Sequence, residues 1–129
     1  VSTLGDITFR TNNVVSFSAN GSIEAGGTAL FIASSIAGNW SVSASNDLVI
    51  QTDGDLNFGG TLSSVSGTIG LISTNGSVIQ NASISNVKNF YANAAVNFTM
   101  APGISIDVTE NAVIRAGNDL NLRMVQANN

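Results

Sequence analysis

The sequence predicts an all-β fold, a parallel β-solenoid of about six coils, and three observations lead to it. Apolar and polar residues alternate with the period of a strand along almost the whole chain, and no segment shows the period of a helix. Short strands recur about every eight to twelve residues, and they group into units of roughly 20–22 residues. A phrase made of a turn residue, Asp and three residues of which the first and third are apolar occurs at residues 5–9, 46–50, 54–58 and 118–122.

The spacing of this phrase supports coils of that length. Asp6 and Asp47 are 41 residues apart and Asp55 and Asp119 are 64 apart, close to two and three units. The step of eight residues from Asp47 to Asp55 fits two successive strands within one unit. Because a short Asp side chain accepts hydrogen bonds from nearby backbone N–H groups, we expect each Asp to stabilise its own tight turn. A form with Ser in place of Asp occurs at residues 20–23 and 75–78.

Each element follows from the alternation and from the turn residues that interrupt it. The units cover residues 4–25, 26–45, 46–67, 68–89, 90–111 and 112–129. Turns are predicted at Asn12–Asn13, Asn20–Gly21, residues 37–39, Asn75–Gly76, Pro102–Gly103 and Asn118–Asp119. The apolar positions expected to form inward ladders are Ile7, Phe9, Val15, Phe17, Ala19, Ile23, Ala25, Leu30, Ile32, Trp40, Val42, Ala44, Leu48, Ile50, Leu56, Phe58, Leu62, Val65, Ile69, Leu71, Val78, Ile84, Phe90, Ala92, Val96, Phe98, Ile104, Ile106, Val108, Ala112, Ile114, Ala116, Leu120, Leu122 and Met124.

Composition excludes several classes of function. Residues 1–129 are short enough for a single solenoid domain or a segment of a longer solenoid, and because Val1 is not Met we expect a processed form or an excised piece. Only 9% of the residues are charged and the net charge is −4, so no basic patch exists for nucleic acid. No apolar run is long enough for membrane insertion as a helix. Cys is absent, which excludes disulfides and thiolate metal sites.

An antiparallel β-sandwich is the alternative fold. Sandwiches also place strands about eight to twelve residues apart, and the Asn–Gly pairs would then form two-residue hairpins. Such a domain would serve as a filament subunit joined by donated strands. The recurrence of the Asp phrase favours the solenoid.

The repeated phrases resemble the degenerate repeats of filamentous-haemagglutinin-like adhesins. The resemblance rests on residues 5–9, 46–50, 53–60 and 116–122, and it extends over most of the chain. The family consists of large bacterial surface proteins, often exported by two-partner secretion, whose repeats form a right-handed parallel β-helix that acts as a stalk. The resemblance therefore implies a right-handed coil, an extracellular or cell-surface location and a role in adhesion. The repeats are more irregular here than in that family.

Calcium and enzymatic catalysis have weak sequence support. Residues 53–57 resemble the start of an EF-hand loop, but that loop needs Gly and Glu where this chain has Phe58 and Ser64. Paired carboxylates can hydrolyse glycosides, so a carbohydrate-active β-helix enzyme is a further alternative. The chain has no His and no nucleophile motif, and we predict no catalytic, cofactor or metal residue. The acidic residues are Asp6, Glu24, Asp47, Asp53, Asp55, Asp107, Glu110 and Asp119.

Aromatic residues and Asn sequons are the remaining candidates for contacts. Trp40 and Phe90 are in phase with apolar neighbours and are predicted to pack in the core, whereas Tyr91 points to the opposite face and is the best candidate for an exposed contact. Asn-x-Ser/Thr sequons, which an unmodified turn or strand also explains, begin at Asn20, Asn39, Asn75, Asn81 and Asn97.

These features predict a structural surface protein, either an adhesin stalk segment or a subunit of an extracellular filament. Neither end of the sequence resembles a cap, and an open solenoid end exposes unpaired N–H and C=O groups. The expected partners are therefore neighbouring coils of a longer chain or other subunits stacked end to end, together with a host-surface or carbohydrate ligand.

Overall fold

The chain folds as a parallel β-solenoid of six coils, as predicted. A computed structural model describes residues 5–128, with the side chains of residues 18–20 excepted. All strand pairs in this described part are parallel, so the antiparallel sandwich is wrong. The described strands are β1 (Ile7–Arg10), β2 (Val14–Ala25), β3 (Ala29–Ala33), β4 (Ser35–Ala44), β5 (Leu48–Thr52), β6 (Leu56–Phe58), β7 (Leu62–Ser64), β8 (Thr68–Ser73), β9 (Val78–Gln80), β10 (Ile84–Ala94), β11 (Phe98–Met100), β12 (Ser105–Ala116), β13 (Leu120–Asn121) and β14 (Met124–Ala127).

Each coil contributes to three faces. Face 1 stacks β1, β3, β5, β8 and the second halves of β10 and β12. Face 2 stacks the first halves of β2 and β4 with β6, β9, β11 and β13. Face 3 combines the second halves of β2 and β4 with β7, the first halves of β10 and β12, and β14. Among the residues described there is no helix long and apolar enough to cross a membrane.

The core is a set of vertical ladders that run through the coils. On face 1 the ladder that begins at Ile7 continues with Ala29, Leu48, Ile69, Phe90 and Ala112. On face 2 the ladder that begins at Val15 continues with Ile36, Leu56, Val78, Phe98 and Leu120. The coils therefore repeat every 19 to 22 residues, with 22 from Ile7 to Ala29 and 19 from Ala29 to Leu48.

The interior mixes large and small side chains. Phe31, Trp40, Phe58, Phe90 and Phe98 are all buried, and Ala residues occupy many of the positions beside them. Small residues also close the end of face 1, where Ala33, Thr52, Ser73 and Ala94 are buried in one column. The Thr52 and Ser73 hydroxyls both donate to the Gly54 carbonyl, so these buried polar groups are satisfied.

The predicted inward phase is wrong in four places, one of which is Val96 in the bend between β10 and β11. Leu30 and Ile32 point outward, and their neighbours Ala29, Phe31 and Ala33 are buried. The phase is fixed by Thr28, whose backbone N–H donates to Asp6 and so makes the next residue the first inward one. Val65 is 78% exposed because it begins the turn after β7. Met124 is 52% exposed, because Val125 rather than Met124 pairs with the inward Ile106.

Two predicted turns are bends within continuous strands. β2 runs through Asn20–Gly21 with a register shift after Phe17, and β4 runs through residues 37–39. Gly38 makes the bend possible, because its φ is 130° and a Cβ there would lie 2.3 Å from the Phe17 carbonyl oxygen. The predicted inward Ala19 falls among the residues whose side chains are not described.

Candidate functional site: the corners and the open ends

Asp residues of the repeated phrase connect successive coils. Two columns of residues, which are polar except at Val14, precede face 1 and face 2, and we call them corner 1 and corner 2. Corner 1 consists of Asp6, Thr28, Asp47, Thr68, Asn89 and Asn111, and corner 2 of Val14, Ser35, Asp55, Ser77, Asn97 and Asp119.

A carboxylate at a corner accepts a hydrogen bond from the coil above. The Oδ1 atoms of Asp6, Asp47 and Asp55 accept from the backbone N–H groups of Thr28, Thr68 and Ser77 at 2.7, 2.8 and 2.8 Å. The predicted bonding within each Asp's own turn is therefore wrong. The carboxylate instead accepts from a backbone N–H one full coil away. That N–H lies at or just before the start of a strand, where the regular hydrogen bonds between strands have not yet begun.

Glycine makes room for each of these carboxylates. Gly27, Gly67 and Gly76 precede the three donors. A Cβ on these glycines would lie 2.2, 2.3 and 2.6 Å from Oδ1 of Asp6, Asp47 and Asp55, closer than real Cβ atoms approach another atom. Each of the three corner Asp residues with a described coil above it thus pairs with a Gly in that coil, and we call this the Asp–Gly rule.

Asn side chains continue the same contacts in the upper coils. Asn111 Nδ2 donates to Asn89 Oδ1 at 3.1 Å, and the Asp119 backbone N–H donates to Asn97 Oδ1 at 3.1 Å. Asn81 Nδ2 donates to Asn57 Oδ1 at 2.6 Å beside face 2. The pairs Asn111–Asn89 and Asn81–Asn57 are therefore stacked side-chain amides, which bond one coil to the next.

Residues 53–57, which resemble the start of a calcium loop, take part in bonds between coils. Asp53 Oδ1 accepts from Thr74 Oγ1 at 3.2 Å and from Asn75 Nδ2, while Asp55 Oδ1 accepts from the Ser77 N–H. Within residues 5–128 no group of three or more metal-binding side chains could hold an ion.

The other acidic residues lie apart along the solenoid. Glu110 Oε1 forms an ion pair with Lys88 Nζ at 3.3 Å, and Asp107 Oδ1 accepts from Asn128 Nδ2 at 3.1 Å. Three shallow surface grooves contain at most one carboxylate each, Asp53 in one and Glu24 in another. Those grooves therefore do not assemble the carboxylate pair that glycoside hydrolysis requires.

The aromatic residues divide as the alternation predicts. Trp40 and Phe90 are 2% and 1% exposed, which confirms the core assignment. Trp40 stacks on Phe17 with ring centroids 4.0 Å apart and meets Phe31 and Phe58 edge-on. Its Nε1 has no hydrogen-bond partner within the described chain.

Tyr91 belongs to an outward column that the sequence prediction missed. On the outer side of face 1, Leu30, Val49, Gly70, Tyr91 and Val113 stack in register. Val113 is 41% exposed, and Leu30, Val49 and Tyr91 are partly buried. Both sides of β3 are therefore apolar, which hides the inward phase of that strand in the sequence.

The sequons occupy different environments. Asn39, Asn75 and Asn81 are exposed and Asn97 is partly buried, whereas the side chain of Asn20 is not described. The side-chain amides of Asn75 and Asn81 donate to Asp53 and Asn57, and Asn97 Oδ1 accepts from the Asp119 N–H. At these three positions the side chain itself bonds to a neighbouring coil.

Both ends of the described solenoid expose side chains that are buried in the inner coils. Leu120 is 47% exposed, whereas Phe98 directly below it is 0% exposed. At the other end, Phe9 is 42% exposed and its neighbour Phe31 is 2% exposed. β1 and β2 form one edge and β13 and β14 the other, so apolar groups and strand edges are open together.

Comparison of the chain with protein-family models, with curated proteins and with solved structures finds no match.

Proposed function

We propose that this protein is a structural element of the cell surface, a rod segment of an extracellular stalk or filament that holds contacts away from the cell. The finer assignment to filamentous-haemagglutinin-like adhesins belongs to this proposal and rests on the repeated phrases. The role is mechanical, and turnover of a substrate has no part in it.

One observation carries the proposal: the coils stack in register through corner and core ladders, and no residue of the described range 5–128 covers either end of the stack. Leu120, Leu122 and Phe9 expose surface that a further coil would cover, at edges whose backbone groups can pair with it. A rod that is longer than six coils uses these groups, whereas an isolated globular domain buries them. The low charge and the many Ser, Thr and Asn residues suit an exported protein.

The contact surface of such a rod would be its flat outer side. The outward column of face 1 places Tyr91 between Gly70 and Val113 on a regular array of strands. A partly exposed Tyr on a flat sheet suits stacking against a sugar ring or an apolar host surface. The ligand in this proposal is therefore a carbohydrate or a host surface, as expected from the sequence.

The location is tested by immunogold labelling of intact source cells with antibodies against the folded chain. Gold particles outside the cell, at a distance from the outer membrane or wall, are the expected result. Labelling that requires permeabilised cells would contradict the proposal. Release of reducing ends from acidic polysaccharides by the purified chain, with or without calcium, would favour the enzyme instead.

A further inference from the structure

We propose that the pair Asn75–Gly76, in the turn between β8 and β9, is a latent deamidation site, which stacking on the coil below keeps unreactive and which reacts when that contact opens. An Asn followed by Gly favours this reaction, because Gly has no side chain to hinder its own nitrogen and its backbone rotates freely. The inference concerns the chemistry of the chain itself and goes beyond the proposed function.

Deamidation uses the backbone nitrogen of Gly76 as its nucleophile. This nitrogen gives its proton to a base in the solvent and attacks Cγ of Asn75, so that a new C–N bond forms. The bond from Cγ to Nδ2 breaks, and ammonia leaves with a proton taken from water. Water then opens the cyclic imide at either carbonyl, which leaves Asp or isoaspartate at position 75. The reaction therefore requires a free Gly76 N–H and an Asn75 side chain that can turn towards it.

Ser73 binds the nitrogen that would have to attack. The Gly76 N–H donates to Ser73 Oγ at 2.9 Å, and the Ser73 hydroxyl donates in turn to the Gly54 carbonyl of the coil below at 2.6 Å. We call this pair of bonds the Ser73 clamp. Ser73 is 1% exposed and Gly76 is buried, so the N–H is bonded within the protein and shielded from a base in the solvent.

Asp53 of the coil below binds the amide that would be attacked. Asn75 Nδ2 donates to Asp53 Oδ1, and the Asn75 backbone N–H donates to the Asp53 carbonyl at 2.8 Å. Asn75 itself is exposed, so water reaches its side chain. Hydrogen bonds to the coil below, rather than burial, therefore keep the Asn75 amide away from its own following nitrogen.

Close packing holds the Gly76 backbone between these bonds. A Cβ on Gly76 would lie 2.6 Å from Asp55 Oδ1 and 2.6 Å from the Gly54 carbonyl carbon, so the backbone of Gly76 lies directly against the coil below. The next backbone N–H, that of Ser77, donates to Asp55 Oδ1 at 2.8 Å. The rotation that brings the Gly76 nitrogen to Cγ of Asn75 therefore requires the two coils to separate at corner 2.

An equivalent clamp occurs where no Asn precedes the Gly. The Gly67 N–H donates to Ser64 Oγ at 3.2 Å, and the Ser64 hydroxyl donates to the Asn46 carbonyl of the coil below. The residue before Gly67 is Ser66, which has no amide to lose. The clamp thus has a structural role at both corners, and protection from deamidation is its additional effect at Asn75. Ser64 provides the matched control for Ser73.

The reaction would also prevent the corner from closing again as before. Either product replaces the Nδ2 donor by a carboxylate, which would face the carboxylate of Asp53. Like charges at this distance repel each other, and the lost hydrogen bond is not replaced. Isoaspartate in addition lengthens the backbone within the turn. Deamidation at residue 75 is therefore a lasting mark of a molecule in which the coils have separated.

The rate of deamidation in the full chain tests the proposal. The protein is incubated in mildly alkaline buffer, with and without enough urea to unfold it, and peptide mass spectrometry follows the mass gain at residue 75. Fragmentation of the peptides separates this position from the other Asn–Gly pair, Asn20–Gly21. The rate at residue 75 is expected to be at least about fiftyfold lower in the folded protein than in urea. Equal rates would overturn the proposal.

Variants separate the Ser73 clamp from general stability. Ser73→Ala should raise the rate at residue 75 in the folded protein at least about tenfold, whereas Ser64→Ala removes an equivalent pair of bonds and should change that rate less than about twofold. Asp53→Ala, at an exposed position, frees the Asn75 amide and should raise the rate about threefold or more. An equal rise in the two Ser variants, or an unchanged rate in both Ser73→Ala and Asp53→Ala, would overturn the proposal.

Discussion

At the scale of single residues, the Asp–Gly pairs connect sequence to structure most directly. An Asp after a turn residue suggests a local turn, yet the carboxylates of Asp6, Asp47 and Asp55 serve the coil above. The Asp–Gly pairs are present in the sequence, because a Gly follows each of these Asp residues by 20 or 21 positions. The alternation of apolar and polar residues could not reveal these pairs. The Gly partner of each Asp is set by how the coils stack, and the residues near the Asp do not indicate it.

Gly27 and Asp6 allow a clean test of the pair. A Cβ at Gly27 meets only the Asp6 side chain at less than 3.0 Å, so Gly27→Ala should destabilise the protein by about 1–3 kcal/mol. In an Asp6→Ala background the same substitution should cost less than about 0.5 kcal/mol, because the obstructing oxygen is gone. Urea denaturation of the four proteins measures the coupling.

Gly67 is the matched control. Its Cβ would meet both Asp47 Oδ1 and the backbone carbon of Asn46, at 2.3 and 2.7 Å. Removal of the Asp47 carboxylate therefore relieves only part of the clash, and most of the cost of Gly67→Ala should remain. Full rescue at Gly67, or no rescue at Gly27, would refute this account of the glycines.

At the scale of the element, the alternation predicts strands well and their phase less well. β5 and β6 each carry a polar outward residue, Gln51 and Asn57. Their inward residues are predicted correctly: Leu48, Ile50, Leu56 and Phe58. β3 reads ALFIA and is apolar on both sides, so its phase is set by the Thr28–Asp6 bond before it. The alternation of apolar and polar residues therefore cannot predict which residues of a strand point inward when the outward residues are apolar as well.

Substitutions in β3 test the corrected phase. Phe31→Ala removes a ring that is 2% exposed and that packs edge-on against Trp40, and it should cost about 3–5 kcal/mol. Leu30→Ala shortens an outward side chain and should cost less than about 1.5 kcal/mol. Guanidinium denaturation followed by Trp40 fluorescence compares the free energies of unfolding of the two variants. A larger loss of stability for Leu30→Ala than for Phe31→Ala would show that Leu30 points inward, as the sequence predicts.

At the scale of the whole molecule, the predicted architecture holds and the function stays a proposal. The units of roughly 20–22 residues and the step from Asp47 to Asp55 are confirmed as coils and as two faces of one coil. The exposed apolar surface at the ends of the solenoid could not be predicted from the sequence. Leu120 and Leu122 have the pattern of core residues, and only the stack reveals that nothing in the described chain covers them.

Unequal stability along the rod follows from these open ends. Each coil contacts only its neighbours, so the inner coils have two supporting interfaces and the end coils have one. Amide hydrogen exchange should be slowest in β5, β6, β8 and β9 and faster by at least about tenfold in β1, β13 and β14. Uniform protection from end to end would show that another contact stabilises the ends.

Residues one coil apart lie side by side in parallel register, and engineered cysteines can test this arrangement. The chain has no Cys, and Asn57 and Ile79 are register partners on the outer side of face 2. Parallel neighbours lie about 4.8 Å apart, within the range that a disulfide spans. Thr99 is the partner of Ile79 and lies two strands from Asn57, too far for a disulfide.

Mild oxidation followed by peptide mass spectrometry should give an intramolecular disulfide in the protein with Asn57→Cys and Ile79→Cys. The control protein with Asn57→Cys and Thr99→Cys should remain reduced. A disulfide in the control, or none in the adjacent pair, would contradict a solenoid with this register.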